Sequence, residues 1–255
     1  MNEPSAVPWQ AGRVGRDTLV ARPTLFEPLA ACLRAHETLH AWAESSPQPR
    51  ALQGRGVVYV ATVPGTDEVV AVRHAWHGGL FAPITGDRFL MPTRAPREAA
   101  ASATLQARGI RTPDVLAYAL YAAGPGLRRV DVCTRYVPDA WDFGAVLAGL
   151  APSISRPAAE RAVLSLLTQL AQAGVVHPDL NVKNILLAPR RGAPPDAWLL
   201  DVDVVEFRSG DARALHLRNV ARLERSIRKW HSRHELALDE TWLAGFTSSA
   251  LGGVA

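Results

Sequence analysis

His177-Pro178-Asp179-Leu180-Asn181-Val182-Lys183-Asn184-Ile185-Leu186-Leu187 is the stretch on which the fold turns. Upstream of it, Val163, Leu166, Leu167 and Leu170 recur at i, i+3, i+4 and i+7, with Pro157 at the start and Gly174 just past the end, which predicts a helix with one buried face. Downstream, Ile185-Leu186-Leu187 predicts a short apolar strand. Asp179 and Asn184 thus stand five residues apart in a loop between helix and strand, a spacing that aims a carboxylate and a neutral oxygen ligand into one cleft. Phosphoryl transfer asks for little covalent help from a protein. It needs a carboxylate to orient the attacking hydroxyl, oxygen ligands for a divalent cation, and donors on the phosphates.

A second carboxylate follows at a fitting place. Trp198-Leu199-Leu200 predicts an apolar strand that ends in Asp201-Val202-Asp203, so Asp201 emerges where it can ligate a hard cation through oxygen, with Asp203 the weaker candidate. Seventeen residues separate Asn184 from Asp201, and the segment from Pro189 to Pro195 is expected to absorb the excess as a surface loop. Taken singly, Asp179 could cap a turn, Asn184 could bond the backbone, and Asp201 could be a satisfied strand-end acid. Their order along helix, loop, strand, loop and strand is what points to catalysis.

The first part of the chain reads differently. Thr24 and Glu27 form a capping box, and Leu25, Leu29, Leu33 and Trp42 recur at roughly helical spacing, predicting one amphipathic helix over 24–44. Val57 to Val63 and Glu68 to Val72 are β-branched runs around Pro64-Gly65-Thr66-Asp67, a hairpin signal. An Ala-rich helix is expected from about Ala95 to Arg108, stopped by Gly109, then strands near Val115 to Tyr121 and Val130 to Tyr136. A last helix is expected from about Asp211 to Arg233. The predicted class is α+β and bilobal: an N-terminal helical extension over 1–50, a small β-rich lobe over 51–137 and a larger helical lobe over 138–255.

Composition narrows the rest. A chain of 255 residues with 48% hydrophobic and 20% charged positions is long enough to bury a core, which excludes disordered and fibrous classes. Cys32 and Cys133 have no CxxC or Cys/His spacing around them, so a disulfide framework and a zinc site are not expected and a reducing cytoplasm fits. No apolar run approaches the roughly 20 residues that span a bilayer, and Met1 to Gln10 lacks a basic start followed by an apolar core. Of the 28 basic residues, 26 are arginine; lysine occurs only at 183 and 229.

Together these stretches resemble the 3-deoxy-D-manno-octulosonic acid (Kdo) kinases and related lipopolysaccharide core kinases, members of the protein-kinase-like superfamily. The resemblance runs from residue 52 to about 230 and is carried by Gly54-Arg55-Gly56, by Val72-Arg73-His74-Ala75-Trp76-His77-Gly78-Gly79-Leu80, by the loop from His177 to Leu187, by Leu200-Asp201-Val202-Asp203, and by Asn219-Val220-Ala221-Arg222-Leu223-Glu224-Arg225-Ser226-Ile227. It implies ATP and Mg²⁺ as cofactors. Asp179 is then the base, Asn184 and Asp201 the Mg²⁺ ligands, and Tyr136 and Val137 part of a hinge beside the adenine. Where ordinary protein kinases hold the phosphates with a strand lysine, this chain has Arg73 and no lysine before 183, and the resembled family also has arginine there. The planar guanidinium can bind phosphate bidentately while pairing with a helix glutamate, for which Glu98 is the expected partner. Gly54 and Gly56 suit a loop whose amides approach phosphate, although Tyr59 stands where a third glycine would complete the pattern. Lys183 lies where a cation could steady the transferred phosphoryl group, with solvent exposure as the alternative.

Pro178 cannot receive an activation-loop phosphate as arginine does at that position in regulated kinases, and few residues follow Asp203 before the last helix, so a small-molecule or glycolipid acceptor is expected. Arg218, Arg222, Arg225 and Arg228 or Lys229 form a basic stripe in that helix. Such a stripe can be a plain solvated face; its functional alternative, over 213–233, is peripheral contact with an anionic glycolipid or the cytoplasmic face of the inner membrane. Nucleic acid is not expected, because no aromatic stacking positions interleave with the stripe. Two rivals stay open: a kinase of another small hydroxylated substrate, sugar or aminoglycoside-like, which would keep the ATP-side residues, and a pseudokinase scaffold, against which the retention of Asp179, Asn184 and Asp201 together argues.

Overall fold

The computed structural model describes residues 8–47, 50–53, 56–75, 89–90, 93–234 and 240–252. The chain divides into two compact units, the first of residues 1–100 and 114–136, the second of residues 101–113 and 137–255.

The first unit is built on an antiparallel sheet. Its strands are β1 (Gln10–Val14), β2 (Asp17–Ala21), β3 (Arg50–Gln53), β4 (Val57–Thr62), β5 (Val69–His74), β6 (Phe89–Leu90), β7 (Val115–Ala122) and β8 (Leu127–Arg135). Their order is β1-β2-β7-β8-β5-β4-β3, with β6 paired to β8. The β4–β5 hairpin forms as expected, with Val58 opposite Arg73. Successive side chains of a strand point to opposite faces. Val70 and Val72 of β5 therefore join the core under α1 (Pro23–Ala35) and α2 (Leu39–Glu44), with Leu29, Leu39 and Tyr121. Arg73 is turned to the other face, where Ala95 and Ala99 of α3 (Ala95–Ala107) pack with Val130 and Val132.

The second unit centres on α5 (Arg156–Gln172), whose Val163, Leu166, Leu167 and Leu170 are buried as their spacing required. Around it lie α4 (Phe143–Leu147), α6 (Ala212–His234), α7 (Glu240–Gly252) and two small sheets. One sheet has the order β12-β11-β9, from β12 (Ala193–Leu199), β11 (Ile185–Arg190) and β9 (Trp141–Asp142); the other pairs β10 (Val175–Val176) with β13 (Glu206–Phe207). The expected α+β class, β-rich first and helical afterwards, is the one found.

Several local expectations are corrected. The helix predicted over 24–44 is two helices, because the chain turns extended at His36 and Thr38 starts α2 by accepting the Ala41 N–H at 2.9 Å. The Thr24–Glu27 capping box does not form. Arg22 precedes the helix without a side-chain cap and Pro23 opens it, its fixed φ suited to the first turn. Residues 1–50 are not only helical: β1 and β2 turn about Gly15, at φ +61°, and β2 extends the sheet along β7. The loop expected over Pro189 to Pro195 is mostly hairpin, with the bend at Arg191-Gly192, and the two prolines of β12 sit on an edge strand that can spare their missing N–H groups. Helix α7 carried no expectation. Gly54, Arg55 and the segment 76–80 lie outside the described residues.

Gly174 joins α5 to β10 at φ +69°, and its carbonyl accepts the Arg208 N–H at 2.7 Å. A Cβ there would stand 2.5 Å from the Arg208 carbonyl oxygen. Gly174→Ala is expected to lower the unfolding free energy by about 2 kcal/mol or more, strain and clash together, as read by urea denaturation; an unchanged midpoint would show that the β10–β13 junction can move.

Candidate active site

The loop 177–184 leaves β10 and enters β11, and backbone turns shape it: Leu180 N–H to His177 C=O and Asn184 N–H to Asn181 C=O, both 3.0 Å. Leu180 and Val182 are buried in the core of the second unit, at about 2 kcal/mol each by transfer of apolar surface, and they hold the loop's inner side down. Its polar side is organised by α6. Asn219, Arg222 and Ser226, at i, i+3 and i+7, share one helical face. The Asn219 Oδ1 accepts the His177 N–H at 3.0 Å while its Nδ2 donates to the Val175 carbonyl at 2.9 Å. Ser226 Oγ accepts the Val182 N–H at 3.2 Å. Arg222 donates through Nε to the Pro178 carbonyl at 2.9 Å and through Nη2 to the Asp179 carboxylate at 2.6 Å.

Asp179 and Asn184 come together as their spacing predicted. The Asp179 carbonyl accepts from Asn184 Nδ2 at 3.1 Å and from Asn181 Nδ2 at 2.9 Å. Because that partner is a carbonyl, the Asn184 amide must present its nitrogen to it, which leaves Oδ1 for another partner. Asp201 lies just beyond the hairpin that starts at Asn184: Ile185 faces Leu199, and the Leu200 N–H reaches the Asn184 carbonyl at 2.8 Å. Its backbone is left-handed, φ 54° and ψ 45°, a region that non-glycine residues enter uncommonly and aspartate more readily than most. A carboxylate and an amide oxygen at the open end of one hairpin are a fitting pair for a hard cation. Among the described residues no three acids, cysteines or histidines gather to hold a metal by themselves, so a cation here would need phosphate oxygens and water as well.

His177 ties the two segments. Its Nε2 lies 3.1 Å from the Leu200 carbonyl, so Nε2 carries the proton, and Nδ1 is buried without a partner. Burial pushes this imidazole below its ordinary value of 6.5. Lys183 is placed differently from a free phosphate ligand: its Nζ pairs with Asp142 at 3.0 Å and sits 4.6 Å from the centre of the Trp230 ring, while Asp142 also caps α4 through the Ala145 N–H.

In the first unit, Arg73 and Glu98 are paired as expected, with Arg73 Nη2 at 2.7 Å from both carboxylate oxygens, and Glu98 is buried. The next residue along β5, His74, meets the buried Asp131 at 2.6 Å, and Asp131 also accepts from Tyr121 Oη and from the His40 N–H, each at 2.8 Å. Gly56 precedes β4 half-buried; Tyr136 and Val137 follow β8 half-buried, with the Tyr136 N–H on the Val69 carbonyl. The contacts of Asn219, Arg222, Ser226 and Asp142 were not foreseen. The signal available for the first three was the stretch 219–227 itself, whose polar residues recur at helical spacing; Asp142 had none.

Within the second unit an aspartate and an asparagine stand five residues apart on one loop with an acid just beyond the following hairpin, and within the first an arginine is clamped by a helix glutamate, groups of the kind that phosphoryl transfer asks for. A family model described as "Lipopolysaccharide kinase (Kdo/WaaP) family" matches residues 40–242, and the chain belongs to that family. A protein named 3-deoxy-D-manno-octulosonic acid kinase from Actinobacillus succinogenes is 32% identical over 193 residues, 74% of this chain and 78% of that one. One of the same name from Haemophilus influenzae is 28% identical over 194 residues, again 74% and 78%. A solved structure titled "WaaP in complex with acyl carrier protein" aligns over 84% of this chain and 91% of its own at 16% identity and a TM-score of 0.44.

The position of His177 has a pH consequence. Below about pH 6.5 the unfolded chain takes up a proton at this residue while the folded chain does not, until pH falls past the lowered value, so stability declines as pH drops through that window. Urea unfolding from pH 8 to 5 should show the decline, and His177→Phe should lack part of the slope; identical slopes would mean that another group carries it.

Proposed function

We propose that the protein transfers the γ-phosphate of ATP to a hydroxyl of a Kdo-type sugar on a lipopolysaccharide inner-core precursor, with Mg²⁺ as the metal. Use of ATP follows from membership of a kinase family, and the choice of sugar is supported by the names of the relatives. The observation that carries the reading is the Asp179 carboxylate, aimed by Arg222 and joined through its own carbonyl to Asn184.

In this scheme the acceptor hydroxyl is oriented by Asp179. Its oxygen bonds to the γ-phosphorus as the bond to the β-phosphate oxygen breaks, ADP departs, and the hydroxyl proton passes to the carboxylate. The Asn184 Oδ1 and Asp201 would hold Mg²⁺, which when bound neutralises charge on the phosphates. Arg73, kept in place by Glu98, would bind phosphate oxygens, with the Gly54–Gly56 segment over them and Tyr136 and Val137 beside the adenine. Lys183 would steady the transferred group by exchanging Asp142 for a phosphate oxygen. The place of action would be the cytoplasmic face of the inner membrane, approached through the basic helix 213–233; no described helix is long and apolar enough to cross a membrane.

Asp179→Asn should lower turnover about 10²- to 10⁴-fold on a Kdo-bearing lipid A precursor while ATP still binds, measured by phosphate incorporation and nucleotide titration. Undiminished turnover would refute the role of Asp179. Chelation of divalent cations should abolish transfer and added Mg²⁺ restore it, and Asp201→Asn should raise the Mg²⁺ concentration required; transfer that survives chelation would exclude the metal role of Asn184 and Asp201.

A further inference from the structure

Behind the catalytic loop the second unit has a pocket of about 350 Å³, lined by His177, Pro178, Glu206 and three arginines of α6, Arg218, Arg222 and Arg225. The arginines fall at i, i+4 and i+7 and so occupy one face of the helix. A volume of this size lies in the range of about 300–1,000 Å³ typical of small-molecule sites, larger than an inorganic ion needs.

The charges in it are unevenly matched. Arg222 is engaged with Asp179, and Glu206 is engaged by Arg208, whose Nε donates to it at 2.7 Å. Among the described residues Arg218 and Arg225 have no ion-pair or hydrogen-bond partner, and both are exposed. Two uncompensated guanidiniums in a concavity concentrate positive potential there. The group that such forks hold best is a planar oxyanion, taken bidentately. Arg222 fixes where that group lies with respect to the chemistry, since the same guanidinium is bonded to the Asp179 carboxylate. An anion seated on Arg222 would therefore lie beside the Asp179 carboxylate that the same guanidinium holds. A membrane surface is planar and fits the rim of such a pocket, not its interior.

We propose that this pocket is the acid site of the acceptor: Arg218, Arg222 and Arg225 bind the carboxylate of the sugar acid whose hydroxyl is presented to Asp179. The proposal rests on the reading of the protein as a kinase of a sugar acid, and it adds the residues that select the acid. It gives a partner to the two arginines of the pocket that have none among the described residues, which a neutral sugar would not supply.

The test uses the full chain with ATP, Mg²⁺ and two acceptors, a Kdo-bearing lipid A precursor and the same molecule with its sugar carboxylate converted to a carboxamide. The wild type should favour the acid about 10- to 100-fold in kcat/KM, the range expected for hydrogen bonds to a charged group. Arg218→Gln with Arg225→Gln should raise KM for the acid by a similar factor and erase the preference, with KM for ATP and the unfolding midpoint unchanged. Equal use of acid and carboxamide by the wild type overturns the site and leaves the kinase reading intact. Binding of free Kdo monosaccharide, followed by saturation-transfer NMR, separates the two failures. If no Kdo acceptor gains phosphate but the sugar acid binds the wild type and not the double variant, the pocket stands and the functional reading falls. Equal binding by both proteins, or displacement of the sugar acid by inorganic phosphate at equal concentration, overturns the carboxylate assignment.

Discussion

The bridge made by Asn219 is the constraint on which the second unit depends. A fully buried side-chain amide has one acceptor and two donor hydrogens to satisfy, and here the peptide groups of Val175 and His177 meet it from either side of Val176. Leaving any of these groups unpaired in the core costs about 1–3 kcal/mol each. Helix α6 and the start of the loop 177–184 are therefore tied in one register, and Arg222 and Ser226, three and seven residues further along the same face, are brought to Asp179 and Val182 as a consequence. The loop's conformation is set by helix residues 42 to 44 positions away in sequence.

A similar economy operates in the first unit, where a buried acid determines the use of a strand. Burying the Glu98 carboxylate in α3 is costly unless it is paired, and β5 supplies Arg73 on the face that its pleat turns toward α3. The neighbouring His74 points to the opposite face and is held by Asp131, which in turn anchors the first turn of α2 through the His40 N–H and fixes Tyr121. Burial and the nearby carboxylate push the Tyr121 phenol well above its usual range, so it serves as a neutral donor. Two adjacent residues of one strand thus lock both faces of the sheet.

The segments legible from pattern were those whose burial is one-sided and whose ends carry strong breakers. Helix α5, with its four apolar positions between Pro157 and Gly174, is the clearest case, and the β4–β5 hairpin with its Pro-Gly turn is another. The β1–β2 hairpin was not legible, because β1 is short and mostly exposed and shows no alternation until β7 pairs with β2. The break between α1 and α2 was hidden by leucines and a tryptophan that continue the helical period across it, and only the packing of both pieces on the sheet shows that the period belongs to two helices.

By itself the sequence determined the chemistry available and its order: an acid and an amide five residues apart, an acid at the end of the next apolar strand, an arginine in place of lysine, and a glutamate to hold it. These are local facts, legible because Asp179, Asn184 and Asp201 stand where the apolar pattern of a helix or strand breaks off. Only the tertiary structure decided which arginine of the basic stripe holds the Asp179 carboxylate and which are left open, because side chains spaced alike along a helix are told apart only by what the helix packs against. That is why Arg222 lies on Asp179 while Arg218 and Arg225, one turn to either side, line a pocket and pair with no carboxylate among the described residues.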